Sequence, residues 1–220
     1  MRRLAAAALA WLAAASVLVA GPAQAHDPLP ALDFEPPAPG TYTLHRIMAA
    51  PDGEVLGVDG RPQPLSRFTH ARITLLGLVY TTCVDPDGCP FALRVFDALK
   101  AAVDRSPALR TQMRLVSLSF DPERDTPAAM RGYAGRRARD DGGIPWRFLT
   151  TRSARSLRPL LAGFGQDVRS TGGGSAGRDL SHVLKVFLID RAGFVREIYS
   201  STFLHPRTVL NDVQTLLLEE

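Results

Sequence analysis

Hydrophobic spacing divides the chain into recognisable elements. Ile73-Thr-Leu-Leu-Gly-Leu-Val-Tyr80 is a short, almost unbroken apolar run, the pattern of a strand buried on both faces, and Met113 to Phe120 reads as a second such strand. Between them Ala92, Val95, Phe96, Leu99, Ala102 and Val103 recur at helical spacing, which predicts a helix over Pro90 to Val103. Pro90 suits the first helical position, so Cys89 is expected as the N-cap. Strand, helix and strand in this order predict a right-handed crossover in a parallel sheet.

Weaker patterns fill in the rest. Thr41 to Ile47 alternates as a strand would, and the turn signals Asp52-Gly53 and Asp59-Gly60 bracket a short strand at Val55 to Val58, predicting an N-terminal hairpin. A helix is expected from about Pro127 to Ala138, although Gly132 and Gly135 oppose it. Trp146 to Thr150 reads as a short strand, and Ser153 to Phe164 as a helix with Leu157, Leu160 and Leu161 on one face. Thr171 to Gly177 is Gly-rich and reads as a flexible loop; no strand–helix context makes it a phosphate cradle. His182 to Ile189 and Phe194 to Tyr199 form a hairpin around Asp190-Arg-Ala-Gly193, and Pro206 to Leu218 closes the chain as an amphipathic helix. The layout predicts one α/β domain over 41–220 with a thioredoxin-like fold, an N-terminal hairpin and an inserted loop or hairpin.

The N-terminus reads as an address. Arg2 and Arg3 precede an apolar run from Leu4 to Ala20, Gly21 and Pro22 break it, and Ala23-Gln24-Ala25 fits a signal-peptidase site. Residues 1–25 are therefore expected to be a signal peptide, with the body periplasmic. The alternative is an uncleaved segment that anchors the body to the inner membrane; only then is membrane contact expected. Residues 26–40 hold five prolines and read as an extended leader. Without Arg2 and Arg3, 24 of the 26 basic residues remain against 22 acidic ones. That balance gives no electrostatic reason to expect nucleic acid as a partner. Arg131, Arg136, Arg137 and Arg139 form a local basic stretch, read as a solvated face or a docking patch for an acidic partner.

The candidate chemistry lies in Cys83-Val-Asp-Pro-Asp-Gly-Cys89-Pro90, between a buried strand and the following helix, at the sheet edge where open α/β folds place their sites. A helix N-terminus favours thiolate, the form that attacks disulfides and binds soft metals. Export to an oxidising compartment also allows a plain structural disulfide, although closing so small a loop stabilises little. Metal binding, thiol exchange and stapling all stay open on the cysteines alone. Asp121 and Asp125 have two readings, as caps and braces for the Pro127 helix or as part of a partner surface.

Three segments together resemble the SCO/SenC copper-chaperone family: Tyr80-Thr-Thr-Cys83 with Cys89-Pro90, Ser117-Leu-Ser-Phe-Asp-Pro-Glu-Arg-Asp-Thr-Pro127, and Asp179-Leu-Ser-His182 before Val186-Phe-Leu-Ile-Asp190. The resemblance implies a thioredoxin-like fold and copper, as Cu(I) or Cu(II), held by Cys83, Cys89 and His182. It also implies delivery to the copper-site subunit of cytochrome c oxidase or another copper acceptor. Two thiolates and an imidazole suit such an ion. The alternatives are a thiol–disulfide oxidoreductase, using Cys83 and Cys89 with an external thiol reductant to keep copper-site cysteines reduced, and a non-catalytic assembly module with a structural disulfide. In one respect the chain departs from the family, which usually spaces its cysteines by three residues: here there are five, including Asp85 and Asp87.

Overall fold

The computed structural model describes residues 29–174 and 177–219. The signal-peptide expectation for residues 1–25, and the start of the leader through residue 28, lie outside the described residues. In chain order the first half contains β1 (Met48–Ala49), β2 (Glu54–Gly57), β3 (Pro62–Pro64), α1 (Ser66–Thr69), β4 (Ile73–Val79), α2 (Cys89–Val103), α3 (Pro107–Gln112) and β5 (Met113–Ser119). The second half contains α4 (Pro127–Ala134) with a 3₁₀ turn at Gly135–Ala138, β6 (Trp146–Thr150), α5 (Ala154–Gly163), β7 (Arg169–Gly174), β8 (Gly177–Ser181), β9 (Val186–Ile189), β10 (Phe194–Tyr199) and α6 (Pro206–Leu218).

Eight strands form one mixed sheet in the order β1-β10-β9-β4-β5-β6-β2-β3. Every residue of β4 is buried, as its apolar run requires. It pairs in parallel with β5, Ile73 opposite Met113, and β5 pairs in parallel with β6. β9 runs antiparallel to β4, and the β9–β10 hairpin completes that side. One face carries α2 and α6 over Leu75, Leu115, Phe96, Leu99 and Val213. The other packs Leu76, Leu78, Val116 and Phe187 against Leu157, Leu160 and Phe164 of the α5 region. This is the expected α/β, thioredoxin-like layout.

Several local expectations change. Thr41–Ile47 is not a strand; only Met48–Ala49 joins the sheet, against β10. The preceding segment instead lies along α6. Gly40 N–H donates to Thr215 Oγ1 (3.0 Å), Asn211 Nδ2 to the Pro37 carbonyl (2.8 Å), and Tyr42 OH to Asp212 Oδ1 (2.5 Å). Tyr199 OH donates to the other Asp212 oxygen at 2.6 Å. Burial pushes Asp212 up within this network and Tyr42 up to about 12. The N-terminal hairpin exists, but as β2–β3 around Asp59-Gly60. The expected helix to Ala138 stops at Ala134, because Gly135 takes φ +53° and the chain tightens into a 3₁₀ turn. The Gly-rich loop is in fact the β7–β8 hairpin, a two-stranded sheet of its own.

Gly193, in the β9–β10 turn, has φ +86°, and a Cβ there would lie 2.4 Å from His70 Nε2. Gly193→Ala is expected to lower stability by about 1–2 kcal/mol, the left-handed penalty for a side chain. Urea unfolding would measure it, with the midpoint falling at unchanged slope.

Candidate metal centre

The cysteine loop is a chain of turns at the C-terminal end of β4. Cys83 N–H donates to the Tyr80 carbonyl (3.3 Å), Asp87 N–H to Asp85 Oδ1 (3.1 Å), and Gly88 N–H to the Asp85 carbonyl (3.1 Å). The Asp85 side chain folds back over Gly88 so closely that a Cβ there would sit 3.1 Å from Asp85 Oδ2. The five-residue spacing is thus a compact hydrogen-bonded loop, stabilised by the Asp side-chain turn. It ends one residue earlier than expected: Gly88 is the N-cap, Cys89 the first helical residue and Pro90 the second. Cys89 therefore points into the core, fully buried among Leu78, Val79 and Phe120, while Cys83 is half-buried.

The Ser117–Pro127 segment lies alongside. Asp125 is buried and does not cap the next helix; Thr126 does, accepting from Ala129 N–H. Asp125 instead binds the cysteine loop. Its carboxylate accepts from Thr81 N–H (3.1 Å), Thr81 Oγ1 (2.5 Å) and Ser119 Oγ (2.6 Å). Asp121 N–H donates to Ser119 Oγ, and Asp125 N–H to the Asp121 carbonyl, which closes the unit. Within the first reading of this pair, bracing stands and capping does not.

His182 follows β8 directly and reaches the same place without rearrangement. Its Nε2 lies 3.9 Å from Cys89 Sγ, across 93 residues of sequence. The ring packs against Phe120 (centroids 4.7 Å apart) and Tyr80 (5.9 Å). Gln166, buried after α5, steadies the segment by donating from Nε2 to the Val183 carbonyl (3.2 Å). Nothing in the sequence around Gln166 or Asp125 signals these ties, since both depend on segments brought together only by the fold.

Electrostatics distinguish the three side chains. Burial pushes the Cys89 thiol well above its ordinary range, and the adjacent Cys83 thiol adds to this; backbone hydrogen bonding involving Tyr80 and Cys89 itself opposes it. Helix-end stabilisation of the thiolate, the expected effect, is outweighed by loss of solvent. Burial lowers the His182 pKa, opposed by a backbone hydrogen bond at Leu180 and by the charge of Asp85. The imidazole is therefore neutral at pH 7, with a lone pair available. Metal–thiolate and metal–imidazole bonds of about 2.3 and 2.0 Å at an open angle separate S and N by about 3.5–3.9 Å. The Cys89–His182 pair has that separation. Cys83 is near enough to Cys89 to raise its thiol pKa, but the three do not form a closed cage. Among the described residues no group of three His, Cys, Asp or Glu side chains does. Both cysteines are free thiols, not a staple.

Comparison with known proteins adds a family. Curated proteins give no match to the sequence. Copper-bound ScoI of Arabidopsis thaliana superposes with a TM-score of 0.66, covering 79% of this chain and 100% of that one at 16% identity. The apo Sco1 of Thermus thermophilus gives 0.64, covering 80% and 95% at 24% identity. Yeast Sco1 with copper bound gives 0.63, covering 78% and 90% at 13% identity. These likenesses establish the fold. The SCO1/SenC family model matches residues 44–218, from the end of the leader through the cysteine loop and His182 to the closing helix, and the chain belongs to that family.

Proposed function

We propose that the protein is an exported carrier of Cu(I), held by Cys83, Cys89 and His182, which aids assembly of the dinuclear copper centre of cytochrome c oxidase. The observation that carries this reading is the 3.9 Å approach of His182 Nε2 to Cys89 Sγ, with the imidazole neutral and both cysteines reduced. Two soft sulfurs and one borderline nitrogen suit Cu(I) over hard cations. Copper here is cargo, and rotation of the half-buried Cys83 side chain completes its donor set. Copper-bound relatives of the same fold support the assignment, as does a relative described as a member of the Sco family of cytochrome c oxidase assembly proteins. Export rests on the N-terminal address sequence. A SCO1/SenC relative from Bacillus anthracis is described as a lipoprotein. Among the described residues no helix is long and apolar enough to cross a membrane. Val84 and Val183, next in sequence to Cys83 and His182, are exposed and offer apolar surface to a copper acceptor. The reduced protein is expected to hold about one copper per chain against a moderate chelator. Failure to retain it overturns the proposal.

Loading has a proton signature. The Cys89 thiol keeps its proton at pH 7 in the empty protein, so binding as thiolate must release it. At least about one proton per copper is expected in weakly buffered solution, and affinity should rise with pH over the neutral range. A pH-independent affinity would contradict Cys89 as a donor.

One observation favours thiol exchange as a second reading: Cys83 is the more exposed of two adjacent free thiols. Its thiolate would attack a substrate disulfide. Cys89 would then resolve the mixed disulfide, and an external thiol reductant would return the two electrons. Full reductase activity in a His182→Ala variant that no longer holds copper would favour this reading.

A further inference from the structure

The end of the sheet opposite the cysteine loop is crowded with guanidinium groups. Arg72 immediately precedes β4, Arg114 is the second residue of β5, and Arg147 is the second residue of β6. The register pairs Val116 with Arg147, so Arg114, two residues before Val116, shares a sheet face with Arg147. The short helix α1 covers that face and brings Arg67. Arg114 is fixed by that helix, donating from Nη1 to the Arg67 carbonyl (2.9 Å) and from Nη2 to the His70 carbonyl (3.5 Å). A guanidinium has five N–H donors, so donors remain on Arg114.

No member of this group is in an ion pair with a carboxylate among the described residues. Some arginines elsewhere are engaged differently. Arg137 holds both oxygens of Asp97, Arg196 pairs with Asp190 and Glu219, and Arg131 reaches the Val58 carbonyl. The proximity is unfavourable for the empty protein: burial, then Arg72, Arg147 and Arg67, pull the Arg114 pKa down to about 10. Arg67 and Arg147 also line a cavity of about 320 Å³ with Gln63, Phe68, Trp146 and Phe148. Asp59 is on its rim, with its carboxylate already engaged by Arg61 through a backbone N–H (3.1 Å) and the guanidinium (3.6 Å).

We propose that Arg67, Arg72, Arg114 and Arg147 form a binding site for a phosphate oxyanion, free or carried on an ester headgroup. Guanidinium forks match phosphate oxygens in charge and in paired hydrogen-bond geometry. One fork is fixed by α1, and the others surround it from three separate elements. The adjoining cavity, with its aromatic walls, gives room for an attached ester group. This site lies at the far end of the sheet from Cys83 and Cys89, so it can be occupied without touching the copper donors.

The test uses the exposed pair, Arg67 and Arg147, whose replacement leaves the Arg114 contacts to α1 in place. Calorimetric titration of the full-length protein with inorganic phosphate at low ionic strength should show saturable binding, absent with chloride at equal ionic strength. An Arg67→Gln/Arg147→Gln variant should bind about ten- to a hundredfold more weakly, the loss expected for charge-assisted bonds. Co-sedimentation with phosphatidylglycerol vesicles, compared with phosphatidylcholine vesicles, separates the sources. Vesicle binding that the double variant loses, without uptake of free phosphate, assigns the site to a lipid headgroup. Equal binding by wild type and variant in both assays, or binding in neither, overturns the proposal. Copper stoichiometry of the variant should be unchanged.

Discussion

Cys89→Ser is expected to weaken Cu(I) retention by more than about 100-fold, beyond the range seen when only an outer-shell partner of a metal ligand is removed. Serine keeps the size and the hydrogen-bonding capacity of the side chain, so the buried start of α2 should fold normally. What disappears is the soft sulfur, and a hydroxyl does not replace it for Cu(I). His182→Ala should be milder, about 10- to 100-fold, because two sulfurs remain. Competition of reduced protein with a chromophoric Cu(I) chelator at pH 7 measures both, with circular dichroism as the control for folding. Wild-type retention by Cys89→Ser would remove the buried thiol from the donor set. An unaffected His182→Ala would mean that the close approach of Nε2 to Sγ serves packing against Phe120 and Tyr80 alone.

Asp125→Ala is expected to lower stability by about 3 kcal/mol. The carboxylate is buried and accepts from Thr81 N–H, Thr81 Oγ1 and Ser119 Oγ. Removing it strands these donors, each at a penalty of about 1–3 kcal/mol where water cannot reach, less whatever the loop recovers by relaxing. For a domain of this size the melting temperature should fall by about 6–12 °C. The damage should extend to the proposed copper binding, because Thr81 lies two residues before Cys83 in the same loop. Asp125→Asn keeps the shape and one acceptor oxygen, and should fall between wild type and alanine in both measurements. If Asp125→Ala melts like wild type, the tie between the two loops is not a stabilising element.

How much of this was readable beforehand depends on where the information lies. β4, α2, β5 and β9–β10 are legible because their hydrophobic spacing is itself the cause of their burial. Met113 to Ser119 is a strand whose residues are nearly all buried, so no alternation has to be detected. The β7–β8 hairpin was not legible: Gly172, Gly173 and Gly174 have no side chains from which an alternating pattern could be read, although the backbone pairs there. The short α3 did carry a signal, Ser106 capping Leu109 N–H before Pro107, but six residues show too little periodicity to stand out. In the site, cysteine spacing and motif likeness pointed to Cys83, Cys89 and His182. They did not convey that Cys89 begins the helix instead of capping it, a one-residue shift that turns its sulfur inward and raises its pKa. Nor did they convey the Asp125 and Gln166 ties, which join segments far apart in the chain.

The hairpin has a consequence for the order in which bonds to an ion break. β7 and β8 pair only with each other, and His182 stands at their root, whereas Cys89 is set in the first turn of a fifteen-residue helix and enclosed by the core. A two-stranded ribbon is a weaker support than a packed helix. With copper held as proposed, the nitrogen bond would be the one able to lengthen without disturbing the core when a competing ligand arrives, and the buried sulfur would hold on longest. If copper is held as proposed, its transfer would have a direction: a recipient would gain its first foothold from the hairpin side, and the last bond to break would be the one to Cys89.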